Sequence, residues 1–373
     1  MASGYSLKDQ LFNLEKTRYL AGLFAAADPG FDAVGFEADV MSRLLQLELK
    51  ARLHWIAEVL GQHLTGDLTK VAPVLLNALP PPLDPSKSDD DFGDFIFAPL
   101  GEFVVARGLP DHLDLSLDLI EALTQRFSME WAIRPFLNAH PHETLARMQV
   151  WTQHSSYHVR RLVSEGTRPR LPWGQGVALE LKDPVHLLDQ LQADPTRYVT
   201  RSVANHLNDI AKKDPELVLA CLRRWRAQDG GDAKELDWLM RHACRGLVKS
   251  GHAEALSLLG FDPEVRVEVD LCLQSKNVRI GSGLEFSVEL ISDRECPVLV
   301  DYIIHFHRPK GKSSQKVFKI KQAVCSSNML RIDKVHKLKG DATTFKLVPG
   351  LHRLEILVNG KIRAGADFDL LPQ

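Results

Sequence analysis

The chain repeats a short arginine-centred pattern at intervals of forty residues. Arg161, Arg201 and Arg241 are each followed by an apolar residue two positions later and a polar residue four positions later. A fixed period of this length is typical of stacked helical pairs of the HEAT kind. Because one register position faces the same way in every repeat, the pattern predicts a cationic stripe suited to a phosphate backbone.

The period of the apolar residues changes once along the chain. From about Leu7 to Phe261 the spacing is helical, with ladders at i, i+3 and i+4. After Pro263 the period is two, and the dipeptide Asn359-Gly360 is a strong signal for a type I′ hairpin turn. The fold class we predict is mainly α, a HEAT-like α-α superhelical solenoid followed by a small all-β sandwich of immunoglobulin-like build.

This change of period and one biased segment define four predicted regions. A stretch rich in proline and then in acids cannot bury a core, so it predicts a mobile loop. The regions are 1–80, the N-terminal helical part of the solenoid; 81–94, the mobile loop; 95–262, the HEAT-like repeats; and 263–373, the sandwich. The residues that bear on function lie in the last two regions.

Composition excludes some functions and leaves others open. A net charge of −2 over 373 residues does not favour nucleic-acid binding, so that function would depend on local charge. With no run of 18 apolar residues and no basic start followed by an apolar core, we expect no membrane segment and a cytoplasmic protein. The five cysteines, 23 to 29 residues apart, predict reduced thiols. We expect no cofactor, and no metal site either, since the close histidine pairs lack a third ligand.

The predicted sandwich contains a strongly basic segment. Between Arg308 and Lys339, ten lysines and arginines stand against a single acid, Asp333. Lys310 and Lys312 lie at a predicted hairpin tip that would present cations to a DNA groove or to phosphates. The alternative is a solvated surface on which lysines protect edge strands.

The most specific motifs lie between Glu130 and Trp173. They include Ser-Met-Glu-Trp at 128–131 and Ser-Glu-Gly-Thr-Arg-Pro-Arg at 164–170. With the later runs at 201–212 and 251–256, they resemble the AlkC branch of the AlkD/AlkC superfamily, HEAT-repeat DNA glycosylases that remove alkylated bases. The resemblance covers nearly all of residues 1–262, and the added sandwich points to the subgroup with a C-terminal immunoglobulin-like domain.

The chemistry of alkylated bases accounts for two carboxylates in this segment. An N3-alkylated adenine or cytosine is cationic and its glycosidic bond is already weak, so the enzyme must stabilise an oxocarbenium-like sugar and place a water. The resemblance implies that Glu130 and Glu165 do this, with Trp173 against the cationic sugar or base. It implies a monofunctional glycosylase that excises 3-methyladenine and 3-methylcytosine from duplex DNA without a closed base-flipping pocket. No lyase activity is expected, since residues 130–173 contain no lysine.

The predicted partner is double-stranded DNA containing alkylated bases, bound by a monomer that is associated with the bacterial nucleoid when on DNA. Phosphates and grooves would be contacted by ten residues: Arg160, Arg161, Arg168, Arg170, Arg201, Asn205, Arg241, Arg245, Lys310 and Lys312.

Each site residue also has a structural alternative. Glu130 could be a first-turn helix charge, Glu165 a partner for Arg161 at i−4, and Trp173 a plug at the end of a repeat. Arg168 and Arg170 could be ordinary surface charges. Arg161 could hold a carboxylate in position in place of a phosphate, and Asn205 could form hydrogen bonds between repeats. Two other functions stay open: a HEAT-repeat DNA-binding protein without catalysis, and a protein-binding scaffold, which would lack salt-sensitive DNA affinity.

Overall fold

The computed structural model describes residues 6–87, 92–172, 174–228, 231–308, 314–340 and 345–373. The chain divides into two compact units, Met1–Ala243 and Cys244–Gln373. The first unit is helical, and the second adds eight described strands to two short helices. Helices therefore precede strands, as the change in apolar period predicts.

The helices of the first unit are short to medium in length and follow one another closely. They are α1 (Leu7–Leu11), α2 (Leu14–Ala27), α3 (Ala33–Met41), α4 (Leu49–His63), α5 (Leu68–Asn77), α6 (Ala98–Gly108), α7 (Leu113–Thr124), α8 (Ile133–Ala139), α9 (Pro141–Trp151), α10 (Tyr157–Gly166), α11 (Val185–Leu191), α12 (Arg197–Ile210), α13 (Pro215–Ala227) and α14 (Ala233–Ala243), with single 3₁₀ turns at Leu44–Gln46 and Phe95–Phe97.

Local sequence explains where several of these helices begin. The side chains of Asn13, Asp67 and Asp214 each accept a hydrogen bond from a backbone N–H three residues later, at the starts of α2, α5 and α13. Such caps satisfy donors that have no partner inside the helix. Proline occupies the first position of α9 and α13, where its missing N–H costs nothing.

The forty-residue pattern corresponds to three helices packed side by side. Helix α10 packs against α12, and α12 against α14. Arg161, Arg201 and Arg241 lie on these three helices in turn. The apolar residues two positions after them are fully buried: Val163, Val203 and Ala243. The predicted stacking of HEAT-like repeats is confirmed.

The predicted loop at 81–94 is fastened to the segment after α7 at its two described ends. The backbone N–H of Leu83 donates to the carbonyl of Gln125 (2.9 Å), and that of Asp94 to the carbonyl of Arg126 (3.1 Å). Lys16 forms an ion pair with Asp94 at 2.5 Å. Residues 88–91, where the acidic run lies, are outside the described residues, and the mobility of the loop stays a prediction.

The second unit begins with α15 (Arg245–Lys249) and α16 (Ala253–Leu258) and continues as two sheets. One sheet has the order β1-β3-β6 and the other β2-β8-β7-β4-β5. Every pairing is antiparallel except that of β2 with β8. The strands are β1 (Glu268–Leu273), β2 (Asn277–Arg279), β3 (Gly283–Ile291), β4 (Cys296–Phe306), β5 (Ser314–Cys325), β6 (Leu330–Lys337), β7 (Gly350–Val358) and β8 (Lys361–Leu371).

The core of this unit comes from the alternating residues read in the sequence. Leu284, Phe286, Val288 and Leu290 of β3 are buried in one cluster with the alternate residues of β4 from Val298 onward. Period two therefore places apolar side chains between two sheets, as expected of a sandwich.

A two-residue turn joins β7 and β8. Asn359 has φ 49° and Gly360 φ 78°, the positive angles that the Asn-Gly signal predicts. The buried Asn359 amide donates to the carbonyls of Asp262 (2.8 Å) and Pro297 (3.2 Å), and its Oδ1 accepts from the N–H of Leu299 (2.8 Å). The predicted hairpin is confirmed, and its turn is also fixed by its side chain.

Replacing Gly360 by alanine should weaken this unit. A Cβ there would lie 2.5 Å from Leu256 Cδ1 and 2.9 Å from Gly251 Cα, on a backbone with positive φ. We expect a loss of about 1–3 kcal/mol, measured by urea-dependent hydrogen exchange in β7 and β8 of the full chain. Gly22→Ala is the matched control, because its Cβ would meet nothing within 4 Å. Equal protection in the two variants would contradict this expectation.

Several sequence expectations concern membranes, metals and thiols. Among the described helices, none is long and apolar enough to cross a bilayer. Within the same described ranges, no group of three or more histidines, cysteines or acids is arranged to hold a metal ion. All five cysteines are free thiols; Cys272 is exposed and the other four are buried.

Candidate active site

A buried arginine joins the two predicted catalytic carboxylates. Glu130 lies in the turn before α8, and Glu165 lies in the last turn of α10. Arg161 Nη1 donates to Glu130 Oε2 at 2.5 Å, and Arg161 Nη2 lies 3.5 Å from Glu165 Oε2. Arg161 thus pairs with Glu165 at i+4 on its own helix and with Glu130 across 31 residues.

A serine completes the contacts of Glu130. Arg161 Nη1 also donates to Ser128 Oγ (2.6 Å), and the Ser128 hydroxyl donates to Glu130 Oε2 (2.9 Å). The hydrogen bonds from Arg161 and from Ser128 both end on Oε2 of the Glu130 carboxylate. The Glu130 side chain keeps 19% of its surface exposed, against 6% for Glu165. Glu130 is therefore the more accessible of the two carboxylates.

Glu165 is held through both of its oxygens. Oε1 accepts from Arg168 Nη1 at 2.5 Å, and Oε2 accepts from the Ser202 hydroxyl of α12 at 2.6 Å. Burial alone would raise the pKa of Glu165, but the charges of Arg161 and Arg168 outweigh it and hold that pKa below its ordinary value. Glu165 is consequently a fixed negative charge at neutral pH.

The linking arginine is equally fixed in its charged state. Burial opposes the charge on Arg161, yet Glu130 and Glu165 raise its pKa above the ordinary value. Its guanidinium also lies 4.9 Å from the centroid of the Tyr198 ring. Burial raises the pKa of Tyr198 to about 12, so this ring stays neutral. Glu130 and Glu165 thus share the guanidinium of Arg161, and Arg168 gives Glu165 a second cationic partner.

An aromatic pocket of about 250 Å³ opens beside these charges. Ser128, Glu130 and Arg161 line one part of it, and aromatic rings form the rest: Phe92, Phe95, Phe127 and Trp131. Phe92 is half exposed, and its ring meets that of Tyr198 edge to face at 5.5 Å. Aromatic faces next to a carboxylate favour a cationic ligand.

The chain is similar to known proteins both in sequence and in structure. The family model described as "Uncharacterised protein YhaZ, C-terminal Ig-like domain" matches residues 268–372. Uncharacterized protein YhaZ of Bacillus subtilis is 37% identical over 274 residues, which cover 72% of this chain and 75% of YhaZ. The solved structure of Pseudomonas fluorescens alkylpurine DNA glycosylase AlkC, bound to DNA containing an abasic site analogue, matches with TM-score 0.85 and 33% identity over 98% of this chain and 100% of that one.

The chain belongs to the AlkC family. Its C-terminal match to the immunoglobulin-like model places it in the AlkC subgroup that has this domain. The family predicted from residues 128–131 and 164–170 is therefore confirmed, and so is the fold class.

In this AlkC-family chain, several arginines that are predicted to contact DNA have carboxylate partners. Arg160 forms a two-pronged pair with Asp194 (2.5 and 3.1 Å), and Arg241 Nε donates to Asp237 (2.7 Å). Arg170 is exposed in the turn after α10. The predicted DNA contacts of these residues stay predictions, but part of the cationic stripe is neutralised within the protein.

The remaining predicted site residues lie on α12, in the second unit, or outside the described residues. Arg201 and Asn205 lie on α12, and Asn205 Oδ1 is 3.0 Å from His242 Nε2, a contact between repeats. Arg245 begins α15 in the second unit. Trp173, Lys310 and Lys312 lie outside the residues that the structure describes.

A second buried arginine organises the segment that follows Glu165. Arg134 of α8 donates to the carbonyls of Gly166 (2.9 Å), Arg168 (3.0 Å) and Gln175 (2.5 Å). Burial, aided by Arg168, lowers the pKa of Arg134 to about 10. This side chain fixes the path of the turn that carries Arg168 and Arg170.

Ser128, Ser202, Phe92 and Phe95 were not recognised from the sequence as site residues. The two serines lie within the motifs at 128–131 and 201–212, but nothing in those motifs assigned them a role. Phe92 and Phe95 offered a weak signal, as aromatic residues at the end of a stretch otherwise rich in proline and acids.

Proposed function

We propose that this AlkC-family chain is a DNA glycosylase for alkylated bases, and that it excises cationic N3-alkylated bases such as 3-methyladenine and 3-methylcytosine from duplex DNA. The observation that carries the proposal is the pair Glu130 and Glu165, joined by Arg161 beside an aromatic pocket. Support comes from the full-length likeness to AlkC of Pseudomonas fluorescens, an alkylpurine DNA glycosylase.

The electrostatics of the site suit the proposed reaction. A cationic base leaves as a neutral molecule, so its departure needs no acid, while the deoxyribose becomes positively charged as the bond stretches. The carboxylates of Glu130 and Glu165 would stabilise that sugar, and they are preorganised because hydrogen bonds already fix both of them.

The two carboxylates differ in exposure and in hydrogen bonding, and these differences suit different roles in the proposed reaction. Glu165 is almost fully buried with both oxygens engaged, which suits a stationary electrostatic partner for the sugar. Glu130 is more exposed and is held through Oε2, so in the proposal it positions and activates the attacking water. Trp173 stacking on the sugar or base, and excision without a closed flipping pocket, complete the proposal.

We expect Glu130→Gln to lower the single-turnover rate of base release by about 10²- to 10⁴-fold, because the amide cannot accept a proton from water. Release would be measured from methylated duplex DNA, with DNA binding recorded in parallel and expected to persist. Glu143→Gln is the matched control, since Glu143 is exposed in the first turn of α9.

Each outcome of that experiment discriminates among functions. An unchanged rate for Glu130→Gln would refute the role of this carboxylate. Binding without release by the wild-type chain would favour a DNA-binding repeat protein. No salt-sensitive DNA binding at all would favour a protein-binding scaffold.

A further inference from the structure

Arg168 spans two carboxylates that belong to neighbouring repeats. Its Nη1 donates to Glu165 Oε1 (2.5 Å), while Nε and Nη2 donate to Asp209 Oδ2 (3.0 and 2.6 Å). Asp209 lies on α12, 41 residues further along the chain. The side chains of Arg168 and Asp209 are 13% and 6% exposed, so the bridge is largely shielded from solvent.

Both ends of this bridge are themselves held in place. Asp209 Oδ1 accepts from Lys212 Nζ at 2.8 Å, and the Arg168 carbonyl accepts from Arg134 Nη1 at 3.0 Å. Three of the five N–H donors of the Arg168 guanidinium are committed to carboxylates. A guanidinium so placed has little surface to offer a DNA phosphate.

We infer that Asp209 and Arg168 are positioning residues for Glu165, and that Arg168 serves this carboxylate and not the DNA backbone. The inference rests on the proposed glycosylase function. Asp209 acts through Arg168: it orients the guanidinium, which in turn fixes the direction and the charge of the Glu165 carboxylate. The next repeat therefore supplies part of the support for the site.

The charged groups around Glu165 determine what removal of Arg168 does. On its own helix and the following turn are Arg161 and Arg168, and α12 contributes Asp209 and His206. Burial, followed by the charge of Arg168, lowers the pKa of His206 to about 4, so it is neutral at pH 7. Glu130, just before α8, interacts with the same Arg161 guanidinium as Glu165. Arg134, on α8, has a pKa that the charge of Glu165 raises, against the effect of burial.

Among the charged groups, Arg161 and Arg168 contribute most to lowering the pKa of Glu165. Loss of Arg168 should raise that pKa, and the acid limb of the rate profile should move to higher pH. A side chain with a purely structural role would leave this limb where it is.

The test measures single-turnover base release at saturating methylated duplex DNA, as a function of pH, for the full-length wild type and for Arg168→Gln. We expect a loss of about tenfold to a hundredfold near neutral pH, with the acid limb shifted upward. The dissociation constant and its dependence on salt should not change.

Asp209→Asn, a nearly isosteric change, tests whether Asp209 acts on Glu165 through Arg168. It should lower the release rate in the wild-type background and have no further effect in the Arg168→Gln background, because Asp209 acts through Arg168. Should Arg168→Gln fail to fold, as judged by circular dichroism, Asp209→Asn with its own pH profile carries the test.

Two further variants calibrate the readouts. Arg170→Gln, in the same turn but exposed, is the comparator for a phosphate contact, whose loss should reduce the salt slope by about 0.9. Arg147→Gln removes an arginine of α9 that pairs with Asp118, and it should leave release unchanged.

The results separate this inference from the proposed function. A reduced salt slope for Arg168→Gln with an unshifted pH profile would make Arg168 a phosphate contact and overturn the inference alone. Additive losses for Arg168→Gln and Asp209→Asn would overturn the relay between them. A wild-type chain that releases no base would overturn the proposed function and the inference with it.

Discussion

Glu165→Gln is expected to lower the rate of base release by about 10²- to 10³-fold while DNA binding persists. The amide removes a buried negative charge and leaves Arg161 and Arg168 facing the position where the sugar becomes cationic. Repulsion then replaces stabilisation in the transition state, whereas the ground state of the DNA is little affected. The measurement is single-turnover release from methylated duplex DNA, with affinity measured by fluorescence anisotropy.

The same substitution has a signature in stability against pH. Because the folded pKa of Glu165 lies below its ordinary value, the ionised group contributes stability that is present above about pH 4.3 and is lost as the pH falls through the folded pKa. Glu165→Gln should therefore differ most from wild type near neutral pH and converge with it in acid. Release unchanged in this variant would refute the assigned role, whatever the stability curve shows.

Arg161→Gln should destabilise the helical unit by about 3–5 kcal/mol and abolish base release. Glu130 would lose the cation that it contacts, and the buried Glu165 would keep only Arg168. Removing one partner of a buried ion pair is costly. Urea unfolding of the full chain, followed by circular dichroism at helical wavelengths, measures the loss.

Two variants control for the simple removal of an arginine. Arg147→Gln breaks a pair with Asp118 whose carboxylate is mostly exposed, and should cost about 1 kcal/mol or less. The double variant Arg161→Gln with Glu130→Gln should recover part of the stability, since it removes one of the stranded charges. If Arg161→Gln were as stable as wild type, the carboxylates would have sufficient partners without it.

Periodicity in the sequence was sufficient to predict the fold. The forty-residue spacing of Arg161, Arg201 and Arg241 corresponds to α10, α12 and α14, and the switch to period two corresponds to the sandwich. Asn359-Gly360 marked its turn because few dipeptides accept two positive φ angles. These features are local or strictly repetitive, so they can be recognised in a single sequence.

Contacts between repeats were not predictable in the same way. Arg168 meets Asp209, and Ser202 meets Glu165, only because α10 and α12 lie at a particular distance and rotation. Arg160 and Arg168 are predicted from the sequence to contact DNA, yet each has an acid as a partner, at sequence separations of 34 and 41. Pairing across an interface depends on packing geometry that no spacing rule supplies.

The placement of Ser202 and Asp209 on α12 means that this site exists only while two repeats stay in register. Stacked repeats open at their interfaces at lower free energy than the whole structure unfolds. A small separation of α10 from α12 would break the hydrogen bond from Ser202 to Glu165 and disturb the orientation of the Arg168 guanidinium, although every helix remained intact. Under the role proposed for Glu165, base release would therefore depend on this one helix–helix interface, and it would be lost before the helical content of the molecule changed.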